Sequence, residues 1–202
     1  MPEHFYLPYP EDVDYEGRYC CDLEAHVTHE ELLMTAPESA VHTTYYMPMP
    51  LRYIRTIIDY ANTLDVDYCR FVDIGSGKGK VNLYAAEYGE YPHSIGVEFD
   101  PVLFAIAEEN RKRRGLDNVE FYLQDAQEYF IGPGDSIIFL FNPFDETILM
   151  RFMQNNMQQL HQWDNLIVSA YDEHPQVFRR CGYEQINCIA DLKLSFYRKT
   201  PR

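Results

Sequence analysis

A glycine-rich turn that follows a short apolar segment is the part of the chain best suited to binding a ligand. Asp73 precedes the turn, and Gly75, Gly77 and Gly79 follow at alternate positions. Glycine is needed where φ is positive or where a ligand must approach the backbone without a Cβ in the way. Free N–H groups at the start of a helix favour electron-rich ligand atoms. The pattern therefore predicts a strand, a ligand-holding turn and a helix that begins near Lys78.

Three kinds of nucleotide-binding loop compete for this stretch. A Walker-type phosphate loop needs Gly, four residues and then Gly-Lys-Ser/Thr, and no register of the stretch supplies that pattern. A dinucleotide loop needs Gly-x-Gly-x-x-Gly, but Lys80 occupies the position of the third glycine. What remains is Asp-x-Gly-x-Gly-x-Gly, beginning at Asp73. A tight strand–helix turn with no ligand stays open as an alternative.

Two further acids follow the next apolar segments, at positions where a nucleoside could be bound. Glu98 ends the second predicted strand, in Gly-Val-Glu, about 20 residues beyond the turn, where an acid accepts hydrogen bonds from ribose hydroxyls. Asp125 and Ala126 follow the third apolar segment. Glu98 could also be a solvated strand-end acid, and Asp125 could cap a short helix over 126–130. Three candidate positions at the ends of three successive strands favour ligand binding over these separate structural roles.

The elements that would position these residues alternate regularly from Cys69 onward. The predicted strands are 70–74, 94–98, 119–123, 136–141 and 165–170. The predicted helices are 51–63, 78–88, 101–114, 145–161 and 174–180. Two final strands, 183–189 and 192–197, are joined so closely that they must form a hairpin. We therefore predict an α/β fold with a doubly wound, mostly parallel seven-stranded sheet and a C-terminal antiparallel hairpin.

The first 50 residues differ from the rest because they show no long helical or alternating period and contain six prolines. Segment 22–34 is expected to contain a helical turn or two, starting at Thr28. We predict two parts: an N-terminal extension or lid over residues 1–50, and one domain over residues 51–202.

The net charge of −15 constrains the partners. Tight binding to a phosphate backbone usually rests on clustered Lys and Arg. The only such cluster, 111–114, lies at the expected C-terminal end of a helix, where the macrodipole favours solvated cations. We therefore expect a small molecule or a basic protein as partner, and nucleic acid is unlikely.

Location and metal content are also constrained by the composition. No apolar run approaches the ~20 residues needed to span a membrane, and the N-terminus lacks the basic and apolar regions of a secretory signal. The five cysteines form no Cys-x-x-Cys pair, so reduced thiols in a cytoplasmic protein are expected. The irregular spacing of His26, His29 and His42 favours ordinary loop histidines over metal ligands.

The order of elements over 50–202 resembles the Rossmann-like fold of class I S-adenosylmethionine (SAM) methyltransferases. Val-Asp-Ile-Gly-Ser-Gly-Lys-Gly-Lys-Val, Gly-Val-Glu-Phe and Phe-Leu-Phe-Asn-Pro-Phe are similar to segments of uncharacterised bacterial members and, loosely, of non-SET protein lysine methyltransferases. The resemblance implies SAM as cofactor, with Asp73 at its amino group, Glu98 at its ribose and Asp125 at its adenine. The full implied set is Tyr46, Asp73, Gly75, Ser76, Gly77, Gly79, Glu98, Phe99, Asp125, Ala126, Asn142 and Pro143.

The resemblance also implies an acceptor site after the fourth strand. Asn142 and Pro143 resemble the start of the Asn-Pro-Pro-aromatic motif of amino-group methyltransferases, in which Asn and a prolyl carbonyl accept hydrogen bonds from the acceptor. Phe144 and Asp145 depart from that motif, which makes a nucleic-acid base a less expected acceptor.

The implied activity is methyl transfer to an amine nitrogen of a protein lysine or small molecule. Asn142 would orient the acceptor, and Tyr46 or Asp145 could relay a proton, although Asp145 is more readily explained as a helix cap. The loop around Tyr46 would close over SAM, and Lys78 and Lys80 would lie on the helix surface. A catalytically silent SAM-binding partner protein and a nicotinamide oxidoreductase are the alternatives.

Overall fold

A seven-stranded sheet is at the centre of the computed structural model, which describes residues 8–25, 27, 46–89 and 91–200. The strands are β1 Arg70–Ile74, β2 His93–Glu98, β3 Val119–Leu123, β4 Ser136–Phe141, β5 Leu166–Ala170, β6 Tyr183–Ile189 and β7 Leu194–Lys199. The α-helices are α1 Pro10–Tyr19, α2 Leu51–Ala61, α3 Lys80–Tyr88, α4 Pro101–Arg114, α5 Glu146–Asn155, α6 Met157–Gln162 and α7 Pro175–Arg180. Short 3₁₀ turns cover Ala126–Glu128 and Ala190–Leu192.

The strand order β3-β2-β1-β4-β5-β7-β6 confirms the predicted fold class. Strands β1 to β5 pair in parallel, whereas β7 runs antiparallel to both β5 and β6. Chain order reverses beside β1, which has β2 on one side and β4 on the other. Ligands of open α/β sheets bind at such a switch point, outside the carboxyl ends of the strands. The candidate acids at the carboxyl ends of β1 and β2 and the asparagine after β4 therefore meet at one edge.

Two apolar layers cover the sheet, as a doubly wound fold requires. On one face, the buried stripe of α2, which includes Ile54 and Ile57, packs in the same cluster as Phe71 of β1. On the other face, Phe152 of α5 packs in the cluster that contains Val72. Successive residues of β1 thus point to opposite layers, which is the period of two expected of a strand buried on both faces.

The helix predicted over 145–161 is divided into α5 and α6 at Asn156, so the prediction of one continuous helix was wrong. The Asn156 side chain is buried, accepts a hydrogen bond from the Ile131 N–H at 2.7 Å, and donates to the Tyr129 carbonyl at 2.9 Å. These bonds satisfy backbone groups of the segment before β4, which would otherwise be buried unpaired. A tertiary contact therefore decides where the helix breaks.

Helix α1 was not expected, because its buried face consists of Asp12 and Tyr15 rather than an apolar stripe. Residues 22–25 are not helical, and the rest of the turn expected in 22–34 lies outside the described residues, apart from Val27, which forms a β-bridge with Tyr46. The three histidines considered as metal ligands also lie outside them. The division of the chain at residue 50 stays a prediction.

Some smaller expectations also need correction. The helix after the glycine turn begins at Lys80, two residues later than predicted. The C-terminal hairpin is confirmed, although its connection is longer than expected because a 3₁₀ turn precedes Lys193 in the left-handed conformation.

No helix within 8–25, 46–89 and 91–200 is long and apolar enough to cross a membrane. Those same residues contain no cluster of three or more His, Cys, Asp or Glu side chains that could hold a metal ion.

Candidate functional site

The glycine turn has the backbone that its sequence predicts. Gly75 and Gly77 have φ values of 83° and 55°, in the left-handed region that side chains disfavour. A Cβ on Gly75 would lie 2.6 Å from the Cβ of Pro143, and a Cβ on Gly77 would collide with the ring of Tyr46. Glycine is therefore required by both conformation and space, since the turn lies between the end of β4 and the residues that precede α2.

A cavity of about 270 Å³ opens over the turn at the carboxyl ends of β1, β2 and β4. Ten of the predicted cofactor-binding residues line it: Tyr46, Asp73, Gly75, Ser76, Gly77, Glu98, Phe99, Ala126, Asn142 and Pro143. Gly79, Asp125 and the predicted catalytic residue Asp145 are not part of its lining. The fold thus brings most of the predicted set together around one space.

Two buried acids dominate the chemistry of this cavity. Burial raises the pKa of Glu98 to about 7, although its oxygens accept hydrogen bonds from the N–H groups of Gly77 at 2.7 Å and Asp100 at 2.9 Å. Burial, and then the neighbouring charge of Glu98, raise the pKa of Asp73 well above its usual range. No hydrogen bond joins the Asp73 carboxylate to another described residue. The pair is therefore suited to a ligand that brings positive charge and hydrogen-bond donors.

Tyr46 covers the turn with its ring, but its hydroxyl is engaged elsewhere. The hydroxyl donates to the carbonyl of Leu23 at 2.7 Å. Burial and the nearby acids Glu24, Asp22 and Asp73 raise its pKa well above the usual value, so it stays protonated. A proton relay through Tyr46 would first have to break the bond to Leu23, and that role stays a prediction.

Asp145 and Asp125 both act as caps in the structure. Asp145 accepts from the N–H groups of Thr147 at 2.9 Å and Ile148 at 3.2 Å at the start of α5. Asp125 accepts from the Gln127 N–H at 2.9 Å at the start of a 3₁₀ turn. Both residues therefore have the capping role that was the structural alternative for each. Their roles toward the acceptor and the adenine stay predictions.

Lys78 and Lys80 are not on the helix surface, so that expectation was wrong. Each is 2 % exposed. Lys78 Nζ lies 2.6 Å from Asp22 Oδ1, and Lys80 Nζ lies 2.7 Å from Asp12 Oδ1 and 2.5 Å from Glu24 Oε1. Burial of a lysine requires a paired acid, and both lysines find their acids in residues 10–25, which the turn motif gives no means of anticipating.

The basic cluster at the end of α4 needs a similar correction. Arg111 and Arg113 pair with acids on their own helix, as solvated residues would. Arg114 instead is buried, with its guanidinium 4.3 Å from the ring centroid of Tyr15 and 3.6 Å from that of Tyr19, and it pairs with Glu87. Arg113 also donates to the Cys20 carbonyl at the end of α1, so two members of the cluster attach α1 to the domain.

Sequence reasoning missed the far wall of the cavity, which is formed by Phe141, Phe144, Tyr171, Glu173 and Lys193. The Tyr171 ring lies 5.7 Å from that of Phe141, and Lys193 Nζ lies 4.6 Å from the Tyr171 centroid. The carboxyl end of β5 lies beside that of β4, so Tyr171 and Glu173 could have been anticipated from strand order. Lys193 could not, because its position depends on the turn of the hairpin.

Comparison with known proteins identifies the class. Residues 65–164 match the family model of a methyltransferase domain. Together with the seven-stranded sheet, this match shows that the chain contains a class I, SAM-dependent methyltransferase domain, and it confirms the predicted family and cofactor.

The particular relatives cover different shares of the chain. An uncharacterised protein of Methanothermobacter thermautotrophicus is 39 % identical over 66 residues, or 33 % of this chain and 25 % of that protein. The ribosomal protein L11 methyltransferase of Caldanaerobacter subterraneus is 35 % identical over 66 residues, or 33 % of this chain and 21 % of that enzyme. The matched region is thus a quarter or less of these curated relatives.

Solved structures extend the likeness to most of the domain. The RNA methyltransferase of Salinibacter ruber, in complex with S-adenosylhomocysteine, superimposes with a TM-score of 0.53 at 21 % identity. The superposition covers 76 % of this chain and 93 % of that one. At this identity the likeness shows the fold alone.

The cavity fits SAM on its own chemistry. The turn offers a backbone surface without Cβ atoms, and Asp73 and Glu98 are buried acids whose free lone pairs suit ammonium and hydroxyl donors. Of the two lysines that line the cavity, Lys80 is neutralised by Asp12 and Glu24, whereas Lys193 lies in the far wall against the Tyr171 ring. Beside the glycine turn, a cationic nucleoside therefore meets acceptors and a lysine whose charge is already paired.

Proposed function

We propose that the protein transfers the methyl group of SAM to an amine nitrogen of a protein lysine or a small molecule. The observation that carries the proposal is a single cavity that reaches from the glycine turn, past Asn142, to Tyr171 and Glu173. Such a continuous lining puts the donor position and the acceptor position next to each other, which is what alignment of two reactants requires. The expected location is the cytoplasm.

The donor half of the cavity is assigned to SAM by position. Asp73 would accept from the amino group of its methionine part, and Glu98 from its ribose hydroxyls. The Ala126 backbone, with Asp125, would face the adenine edge. When bound, SAM supplies a methyl group on a positively charged sulfur, which is already activated for displacement.

The acceptor half begins at Asn142, whose backbone has a φ of 40° and which lines the cavity at the end of β4. Its amide oxygen would accept a hydrogen bond from the amine and orient the nitrogen lone pair. Phe144 and Tyr171 provide aromatic walls, of which the Tyr171 ring already contacts the Lys193 ammonium group, and Glu173 adds a negative charge at the exposed side. The roof formed by Tyr46 and Met47 would exclude water during transfer.

The comparisons give no support to the expectation that nucleic acid is an unlikely partner. By name, one relative is an RNA methyltransferase and another acts on ribosomal protein L11. The net charge of −15 and the acid at the cavity mouth are our reasons for preferring an amine. RNA is therefore included as a competing acceptor in the test.

The test measures formation of S-adenosylhomocysteine from SAM with four acceptor pools: free alkylamines, lysine peptides, basic proteins and unfractionated RNA. We expect turnover with one of the amine pools and none with RNA. Asn142→Ala should lower kcat while the dissociation constant for SAM stays unchanged. Asn62→Ala, an exposed position outside the cavity, is the matched control. Methylation of RNA alone would refute the amine assignment, and SAM binding without turnover on any pool would favour a silent binding protein.

A further inference from the structure

Lys80 is in an unexpected position for a site that takes a cationic cofactor. It is the first residue of α3, directly after the glycine turn, and it lines the same cavity as Asp73 and Glu98. SAM carries a positive sulfur, and like charges in a poorly solvated site repel each other over several ångströms. An unpaired ammonium group here would oppose SAM binding.

The N-terminal segment supplies the charges that cancel this ammonium group. Lys80 Nζ lies 2.7 Å from Asp12 of α1 and 2.5 Å from Glu24. Asp12 is itself held in place, because it accepts from the N–H groups of Tyr9 at 3.1 Å and Leu51 at 2.8 Å. The acid is thus fixed by its own helix and by the start of α2, and it cannot swing away from the lysine without losing these bonds.

Residues 22–24 are attached to the glycine turn at two further points. Lys78 pairs with Asp22 at 2.6 Å, and the Asn110 amide donates to the carbonyls of Asp22 at 2.9 Å and Lys78 at 3.1 Å. The carbonyl of Leu23 accepts a hydrogen bond from the hydroxyl of Tyr46, whose ring covers Gly77. The segment therefore lies along the outer side of the turn.

We propose that residues 8–25 are part of the SAM site, because their acids Asp12 and Glu24 cancel the charge of the positioning residue Lys80. This cancellation sets the preference of the site for the cationic cofactor over the neutral product. The proposal rests on the assignment of this cavity to SAM. A purely structural role would instead make the segment affect both ligands alike.

The test compares dissociation constants of SAM and S-adenosylhomocysteine, measured by titration calorimetry on full-length variants. The two ligands differ in the charge on sulfur, so the ratio of their dissociation constants reports electrostatics rather than shape. Asp12→Asn removes one cancelling acid, and we expect SAM to bind on the order of tenfold more weakly, with S-adenosylhomocysteine affected less than threefold. Adding Lys80→Met to Asp12→Asn should restore the ratio, even if the melting temperature stays low.

Asp164→Asn is the control, because it removes an acid from the ion pair with Arg198 at a residue that does not line the cavity and is 48 % exposed on its side chain. It should leave the ratio unchanged. Glu24→Gln repeats the test if Asp12→Asn does not fold, since its side chain is 10 % exposed. Equal weakening of both ligands, or an unchanged ratio, would overturn the proposal while leaving the cofactor assignment intact. Failure of the unaltered protein to bind either ligand would instead refute the SAM assignment, and this proposal with it.

Discussion

SAM binding should be coupled to proton release from the buried acids of the cavity. Burial holds the pKa of Glu98 at about 7 in the unliganded protein. A ligand that brings hydroxyl donors and positive charge favours the ionised carboxylate. The carboxyl group must therefore lose its proton before or during binding, and affinity for SAM should fall as the pH is lowered through 7.

The size of the effect follows from the titration curve. A group with a pKa of about 7 is ~90 % ionised at pH 8 and ~10 % ionised at pH 6. If only the ionised form binds, the dissociation constant should rise by about tenfold between these two pH values. The raised pKa of Asp73 acts in the same direction and would steepen the change.

Titration calorimetry at pH 6, 7 and 8, in two buffers of different ionisation enthalpy, measures both the affinity and the protons released. Glu98→Gln, which cannot ionise, should bind SAM more weakly and show a smaller pH dependence. A dissociation constant for SAM that stays flat from pH 6 to pH 8 would contradict a pKa of about 7 for Glu98.

The same shift affects the stability of the unliganded protein. The folded pKa of about 7 lies above the ordinary value of 4.5, so folding favours the protonated form of Glu98. Its contribution is greatest below pH 4.5 and is lost as the pH rises through 7. SAM binds more tightly at pH 8, where the unliganded protein has lost this contribution. It should therefore raise the melting temperature more at pH 8 than at pH 6.

Three further predictions concern the frame of the site. Gly77→Ala should lower stability by about 1–3 kcal/mol, as seen by denaturant unfolding, and should weaken SAM binding, because the new Cβ meets the ring of Tyr46; normal affinity would argue against the packed turn. Tyr46→Phe keeps the ring but loses the bond to Leu23, so we expect about 1 kcal/mol less stability and unchanged turnover, whereas a large drop in kcat would support the predicted proton relay. Asn156→Ala should cost about 2–3 kcal/mol by leaving the buried Ile131 N–H unpaired, with kcat unaffected.

The parts of the site that could be predicted are those with local signals. The glycine turn and the acids at the ends of β1 and β2 are specified by residues within a few positions of each other, and parallel strands bring their ends to one edge. Strand order then places Asn142 beside Gly75, where Pro143 packs. Residue types and simple topology were enough for this half of the cavity.

The parts that could not be predicted depend on contacts between distant residues. Asp12 and Lys80 are 68 positions apart, and neither has a sequence neighbour that indicates the other. The sequence predicted that Arg114 is one of four solvated cations, whereas in the structure the rings of Tyr15 and Tyr19 cover it. In each case the sequence shows that the residue is charged but not that it is buried. Its burial depends on α1, whose inward face is polar.

The pairing of Asp12 with Lys80 also has a consequence for how the chain is made. Helix α1 has 10 residues, which is shorter than isolated helices that are stable in water, and its inward face gains little from apolar collapse. During synthesis it leaves the ribosome long before Lys80 and Arg114, so it has no partner to fold against until α3 and α4 are complete. Closing so long a loop slows folding. We expect α1 to join late in folding, which makes a nascent chain lacking α4 a target for proteases at its N-terminus.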